Sequence, residues 1–224
     1  MKLAGRVSLS GILGILVCLA ILFVPAGTFH YWQGWAFLVV FALSTWIPTV
    51  YLMRTNPAAL ERRMHAGPKQ ESRPVQKAII VIAFASLAAM VVVSVLDHRY
   101  GWSVVPPAAS VIGDVLVALG LGLAMLVIIQ NSYAAANITV ESGQTLASTG
   151  LYGMVRHPMY SGDVIMMVGT PLALGSYWGL LFVLPGVVTL AVRIRDEEEL
   201  LEHELSGYRE YEQKVHYRLV PYLW

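Results

Sequence analysis

The sequence is poor in charged residues and contains a single cysteine. Only 13% of its 224 residues are charged, about half the share in a typical soluble domain, whereas 57% are hydrophobic. A water-soluble domain of this length cannot bury so much apolar surface, so an ordinary soluble enzyme is excluded, as is a disordered chain. The formal net charge of +1 excludes a strongly basic nucleic-acid-binding protein. With Cys18 alone, an intrachain disulfide, a cysteine-rich zinc site and an iron–sulfur cluster are also excluded.

Metal-binding and common hydrolase motifs are absent as well. The histidines are scattered, and no two of them have the spacing of metal ligands on a shared helix face. The chain contains no nucleophile elbow, P-loop or H-E-x-x-H sequence. We therefore expect no metal and no nucleic acid among the partners of this protein.

What the sequence does contain is a series of long uncharged runs. The 47 residues between Arg6 and Arg54 carry no charged side chain, which is too long for one membrane span of about 20 residues. A Pro-Ala-Gly break at 25–27 divides this run. The predicted spans lie near residues 9–25, 34–53, 78–96 and 111–133. The last uncharged run, 164–192, has Gly-Ser-Tyr-Trp at its middle, and it predicts a hairpin of two short helices at about 160–174 and 177–193.

The positive charges are distributed very unevenly between the two sides of these spans. Fourteen of the 15 Lys and Arg residues fall at the N-terminus, in the loops 54–77 and 131–159, or in the tail from residue 193 onward. The opposite loops hold only Arg99. By the positive-inside rule, both termini are expected in the cytosol. The first apolar run could serve as a signal peptide, but no A-x-A-like cleavage site follows it, so we interpret it as a span.

The tail carries 13 of the 29 charged residues and predicts a separate cytosolic helix over 196–206, with Gly207 as its stop signal. The expected fold is thus an all-α integral membrane protein with four transmembrane helices, a C-terminal helical hairpin and a cytosolic tail helix. We expect residues 1–110 to form the N-terminal transmembrane part and residues 111–224 the catalytic core.

Two polar clusters flank the predicted hairpin. The first is Arg156-His157-Pro158-Met159-Tyr160, where Pro158 suits the first turn of a helix and Arg156 and His157 precede it. The second contains Arg193 and Glu197, which lie on one helix face at i and i+4. Taken alone, each cluster also fits interfacial anchoring by arginine and tyrosine. Tyr208 and Tyr211 in the tail are explained equally well as an aromatic stripe that packs onto the membrane.

In combination the clusters form a signature. It reads Gly150-x-Tyr152-x-x-x-Arg156-His157-Pro158-x-Tyr160-x-Gly162, an apolar hairpin, and then Arg193-x-x-x-Glu197-Glu198-x-x-Leu201. This order resembles the isoprenylcysteine carboxyl methyltransferase family, which belongs with the membrane phospholipid methyltransferases. The resemblance covers about residues 137–218. It implies an integral-membrane enzyme that uses S-adenosyl-L-methionine without the Rossmann fold of soluble methyltransferases.

The resemblance also implies roles for individual residues. Arg193 and Glu197 would act in catalysis, with Arg193 facing the substrate. The cofactor would be bound by Gln144, Thr145, Leu146, Ala147, Tyr152, Arg156, His157, Pro158, Met159, Tyr160, Glu197 and Glu198, with Asn137 as a further contact. The family often has His where this chain has Gln144, and Phe-Gly in the tail where this chain has Ser206-Gly207.

The expected reaction is methylation of a lipid-like or prenylcysteine-like carboxylate at the membrane–cytosol boundary. Three alternatives stay open at this point. One is N-methylation of a phospholipid headgroup on the same scaffold, and another is a sterol-reductase-like enzyme that uses NADPH. The third is a non-catalytic membrane scaffold or transport component.

Overall fold

A computed structural model describes residues 3–64, 74–134 and 144–224, and within these ranges it contains helices and no strands. The α-helices are α1 (Leu3–Ala26), α2 (Trp32–Thr55), α3 (Pro57–Met64), α4 (Pro74–Tyr100), α5 (Pro107–Gln130), α6 (Pro158–Ala173), α7 (Val183–Glu204) and α8 (Tyr208–Glu212). Short 3-10 turns at Gly150–Gly153 and Trp178–Phe182 precede α6 and α7.

Among the described residues, five segments are long and apolar enough to cross a membrane: α1, α2, residues Val75–Tyr100 of α4, α5, and the segment Trp178–Glu204 that contains α7. The predicted all-α, multi-pass membrane fold is therefore confirmed. Helix α6 has only 16 residues, or about 24 Å of helix, which is less than the roughly 30 Å of a bilayer core. The predicted hairpin thus pairs a short helix with one of spanning length.

Helices α5 and α6 form the closest pair, antiparallel and in backbone contact through glycine. A Cβ atom on Gly113 would lie 2.1 Å from the Ala173 nitrogen, and one on Gly120 would lie 2.5 Å from the Gly162 carbonyl oxygen. Small residues permit this approach, and in a membrane such packing replaces the hydrophobic driving force that is missing between helices. The pair holds the N-terminus of α6 beside the C-terminus of α5.

One end of the helix assembly, which we call the site end, contains the segments that the charge pattern assigned to one side of the membrane. Arg62 of α3 donates a hydrogen bond of 3.2 Å to the Ser132 carbonyl oxygen and stacks on the Tyr133 ring at 4.7 Å. Helix α3, which we did not predict, thereby packs beside the end of α5. Its apolar face joins a buried cluster that includes Met159 of α6.

The opposite end is closed by buried polar contacts. Asp97 accepts hydrogen bonds of 2.6 Å from the Ser103 and Ser176 hydroxyls, and it also accepts from the Trp178 amide. The fully buried Tyr31 donates its hydroxyl to the Leu174 carbonyl oxygen at 2.6 Å. These bonds connect α2 and α4 to the hairpin turn, because they satisfy the backbone and serine groups that the turn exposes.

The structure differs from the sequence prediction at the tail helix. Helix α7 continues to Glu204 without a break, so the predicted second arm of the hairpin and the helix at 196–206 are one element. No Gly or Pro separates them, and helix formers continue through the charged stretch, so nothing stops the helix at the predicted point. Gly207, with φ of +84°, then turns the chain into α8.

Candidate active site

The C-terminal segment of the chain holds the start of α6 in place. The Arg156 and His157 amides donate hydrogen bonds of 2.8 and 2.9 Å to the Tyr217 and Arg218 carbonyl oxygens. Ser161, one turn into α6, donates its hydroxyl to the Leu219 carbonyl oxygen at 2.6 Å. The tail therefore packs against the Arg-His-Pro segment and positions its side chains.

A cavity of about 800 Å³, with its open mouth included, lies between this segment, the end of α5, α7 and the tail. Ten of the residues predicted to act in binding or catalysis line it: Gln144, Thr145, Leu146, Ala147, Tyr152, Arg156, His157, Met159, Tyr160 and Glu197. Two stretches of chain separated by the hairpin therefore share one cavity.

Three other predicted site residues lie outside the cavity lining. Pro158 is buried as the first residue of α6, and Glu198 is buried behind the cavity wall. Arg193 is also buried, one helical turn before Glu197. Its predicted contact with the substrate stays a prediction. Asn137 lies outside the described residues.

Glu198 is the centre of a buried charge cluster behind the cavity. Its Oε1 lies 2.8 Å from Arg156 Nε and 3.1 Å from His157 Nε2, and its Oε2 accepts a hydrogen bond of 2.8 Å from Arg218. Arg156 also donates to Glu212 at 2.8 Å. Because the charges are paired, they can remain buried. The cluster joins the loop before α6, α7 and the tail at one point.

A second polar chain faces the cavity. Arg193 Nε donates a hydrogen bond of 2.9 Å to the Tyr160 hydroxyl, which in turn donates to Glu197 Oε2 at 2.6 Å. His157 Nδ1 lies 3.9 Å from the same carboxylate oxygen. Tyr160 and Glu197 thus present a polarised hydroxyl–carboxylate pair in the wall, and Arg193 supports the pair from behind.

Tyrosine rings supply much of the remaining wall. The Tyr211 hydroxyl donates to the Tyr152 carbonyl oxygen at 2.7 Å, and the Tyr152 hydroxyl accepts a hydrogen bond of 3.2 Å from Asn131. Burial raises the pKa of Tyr152, Tyr208 and Tyr211 above the usual phenol value. All three phenols are therefore neutral at physiological pH and offer uncharged ring faces.

Tyr208 has an unusual position. Its side chain is 3% exposed and lines the cavity, yet its hydroxyl has no hydrogen-bond partner within the described ranges. A buried hydroxyl without a partner costs roughly 1–3 kcal/mol, so the position of this hydroxyl in the cavity wall needs an explanation. We interpreted Tyr208 and Tyr211 from the sequence as a membrane-facing stripe, whereas the structure places both against the cavity.

Several lining residues were not among the predicted site residues, although Leu201 is part of the quoted family pattern. They are Asn131, Tyr133, Ala134, Leu201 and Leu205. Leu201 and Leu205 follow Glu197 at helical spacing of four and eight residues, which could have placed them on the same face. Asn131 and Tyr133 lie at the end of the predicted span 111–133, which in the structure stops at Gln130, and nothing in their own sequence distinguishes them from an ordinary span end.

Comparison with known families finds a match for the part of the chain that forms most of the cavity wall. Residues 108–206 match the family model described as phospholipid methyltransferase. The match covers less than half of the chain, and over this segment the chain is similar to that family. The family resemblance inferred from the flanking motifs is thereby confirmed, and the matched range contains α5, α6, α7 and most of the cavity wall.

The chain also shares sequence with a reductase. Delta(14)-sterol reductase TM7SF2 of Mus musculus is 36% identical over 90 residues, which is 39% of this chain. The chain covers only 22% of the length of that relative. The chain is thus similar both to a methyltransferase family and to a reductase, and its own reaction has to be inferred from the site.

Proposed function

We propose that this protein is an S-adenosyl-L-methionine-dependent methyltransferase that acts on a lipid-like acceptor where the membrane meets the cytosol. The observation that carries the proposal is the shared cavity, in which Tyr160 and Glu197 meet from opposite arms of a membrane hairpin. The cavity lies at the site end, where the positive charges cluster, so we infer that this end and both termini are cytosolic.

The residues of the cavity fit the proposed cofactor. Its sulfonium and ammonium groups are cationic, and Glu197 supplies the carboxylate in the lining. The neutral tyrosine rings suit both an adenine face and a sulfonium cation. The Tyr208 hydroxyl, which has no partner among the described residues, offers a hydrogen bond to a ribose hydroxyl or an adenine edge.

When bound, the cofactor supplies a methyl group whose bond to sulfur breaks as the acceptor's lone pair forms the new bond to carbon. Such a displacement needs alignment and exclusion of water rather than a metal. Tyr160 and Glu197 fix one wall through their hydrogen bond, and the tail closes another wall through Tyr208 and Tyr211.

A lipid carboxylate is the methyl acceptor that requires the fewest catalytic groups from the protein. It is ionised at neutral pH and needs no general base. It does need a cation for orientation, and Arg193 is the buried cation beside Tyr160. Arg193 already donates through Nε to Tyr160 and through Nη1 to Gln76, so these two bonds fix the direction of its guanidinium. A lipid tail would reach the site between helices from the bilayer.

A phospholipid amine is the second candidate acceptor. The description of the matched family favours it, and an amine needs a base to remove its proton before or during methyl transfer. Glu197, in the cavity wall, is the carboxylate placed for that role. Glu198 is not, since it already contacts Arg156, His157 and Arg218 behind the wall.

The reductase relative raises a third candidate. A dinucleotide such as NADPH brings several phosphates, which proteins bind with cationic groups and free backbone amides. Of the lining residues, Arg156 and His157 are the cationic candidates, and both contact carboxylates already. The cavity therefore suits a sulfonium nucleoside better than a polyphosphate.

Calorimetry with the purified protein in nanodiscs tests the proposal directly. We expect micromolar binding of S-adenosyl-L-methionine and weaker or no binding of NADPH. Glu197→Ala should abolish binding, whereas Glu202→Ala on the exposed face of the same helix should not. Incubation with methyl-labelled cofactor and a total lipid extract then separates labelled carboxyl esters from labelled amine headgroups. Absence of S-adenosyl-L-methionine binding in the unmodified protein would refute the proposed function. Binding of NADPH instead would favour a reductase, and binding of neither would favour a non-catalytic scaffold.

A further inference from the structure

Gln76 is a fully buried amide in the first turn of α4, outside the segment that matches the family model. From the sequence it belongs to the charged loop before the third span, and nothing there distinguishes it. In the structure it reaches across to α7. Burial of a primary amide is unfavourable unless its polar atoms are satisfied, so its partners explain its position.

Both ends of the Gln76 amide are occupied by charged residues of α7. The amide oxygen accepts a hydrogen bond of 2.9 Å from Arg193 Nη1, and the amide nitrogen donates to the Asp196 carboxylate. Gln76 therefore inserts between a cation and an anion that lie three residues apart on one helix. Residues at this spacing are neighbours and pair readily.

The insertion has a consequence for the direction of the guanidinium. Without the amide between them, Arg193 and Asp196 would be expected to form a direct ion pair on the surface of α7. The guanidinium would then turn away from Tyr160, to which its Nε now donates at 2.9 Å. With Gln76 in place, Arg193 is held between two acceptors, the amide oxygen and the Tyr160 hydroxyl.

We propose that Gln76 and Asp196 form a positioning device that keeps Arg193 directed at Tyr160 and, through it, keeps Glu197 aligned in the cavity wall. This inference rests on the proposed methyltransferase function. It assigns the N-terminal helices a part in the site: α4 supplies a residue that orients the reacting groups without touching the cofactor. Neither Gln76 nor Asp196 lines the cavity.

An exchange of polarity between the two residues tests the device. In Gln76→Glu, two carboxylates face each other and the hydrogen bond to position 196 is lost. In the double variant Gln76→Glu/Asp196→Asn, the carboxylate at position 76 accepts a hydrogen bond from Arg193. The amide at position 196 donates to the same carboxylate, so both contacts are restored with the two groups exchanged. Gln33→Glu makes the same change on α2 at the opposite end of the assembly and serves as the matched control.

Methyl transfer to lipid extract and calorimetric binding of S-adenosyl-L-methionine provide the two readouts. For Gln76→Glu we expect the transfer rate to fall about tenfold or more and the cofactor Kd to rise by less than in Tyr160→Phe, because the Tyr160 hydroxyl and the Glu197 carboxylate both stay in the wall and only their alignment is lost. The double variant should recover most of the rate. The rate of Gln76→Glu should also rise as the pH falls, since a protonated carboxyl can again donate to Asp196.

The outcomes separate this inference from the proposed function. If the unmodified protein neither binds the cofactor nor transfers methyl groups, the proposed function fails and this inference fails with it. If the unmodified protein is active and Gln76→Glu is equally active, only the positioning role is overturned. A double variant no better than Gln76→Glu, in protein that retains its melting temperature, overturns it too.

Discussion

The Tyr160 hydroxyl donates a 2.6 Å hydrogen bond to Glu197 Oε2, and this contact joins helices that belong to opposite arms of the membrane hairpin. The two residues are 37 positions apart, and both line the cavity. A hydrogen bond to a carboxylate is among the stronger ones in proteins. The same hydroxyl accepts from Arg193, so one atom connects the cavity wall to the buried cation behind it.

Removal of the Tyr160 hydroxyl should weaken cofactor binding. In Tyr160→Phe the ring remains while Glu197 loses its donor and Arg193 its acceptor. A hydrogen bond to a charged group contributes about 1.5–3 kcal/mol, so we expect cofactor binding to weaken about 10-fold to 100-fold. Calorimetry in nanodiscs measures it. Tyr177→Phe, in the turn at the opposite end, is the control, and equal affinities for the two variants would contradict the assigned role.

Tyr208→Phe should separate stability from binding. The Tyr208 hydroxyl is buried without a partner, so its removal relieves an unsatisfied polar group, and we expect an unchanged or higher melting temperature. Cofactor affinity should fall about tenfold, because the hydroxyl is offered to the ligand. Tyr211→Phe is the contrast, since it loses a 2.7 Å bond to the Tyr152 carbonyl oxygen and should lower the melting temperature. Undiminished affinity in Tyr208→Phe would show that the hydroxyl does not contact the cofactor.

The α5–α6 contact should be intolerant of a single methyl group. In Gly113→Ala the new Cβ would meet the Ala173 backbone nitrogen at 2.1 Å, so the two helices have to separate. We expect a loss of about 1–3 kcal/mol, as for overpacking elsewhere, and a lower melting temperature in detergent. Gly122→Ala lies on the same helix with open space around its Cβ and should be neutral. Similar melting temperatures for the two variants would argue against direct backbone contact.

Glu198 should be needed for folding more than for chemistry. Its removal in Glu198→Ala leaves the cationic groups of Arg156 and Arg218 without their shared partner, and the loss of one member of a buried ion pair costs about 3–5 kcal/mol. We expect a strong fall in melting temperature and in the yield of folded protein. Glu202→Ala, at an exposed position of α7, should behave like the unmodified protein. A Glu198→Ala protein that folds normally but has lost cofactor binding would instead make Glu198 a direct ligand.

The membrane fold could be predicted from the sequence because its evidence is local. An uncharged run of sufficient length forms a helix in a bilayer, where every backbone hydrogen bond must be satisfied within the segment. The runs around Cys18, Trp46 and Met90 are therefore spans whatever surrounds them. The division of the tail into separate helices was less predictable, since charge marks where a helix leaves the bilayer and does not stop it.

The residues of the site also differ in whether local sequence evidence predicts them. Arg156, His157 and Glu197 could be selected from the sequence because their order around the hairpin forms a family pattern. Asn131, Tyr208 and Gln76 could not, since an amide or a phenol in a loop or helix end has no distinguishing neighbours along the chain. Their contacts depend on which helix ends come together, which is a property of helix packing.

The sequence by itself determined that the chain is helical, lies in a membrane and has its polar motifs on one side, because hydropathy and charge act through solvent and need no partner. Only the tertiary structure decided that α4 inserts an amide between Arg193 and Asp196, and that the tail covers the Arg-His-Pro segment. Those arrangements depend on side-chain shape and on glycine contacts between distant helices. Such specificity arises when surfaces meet in three dimensions.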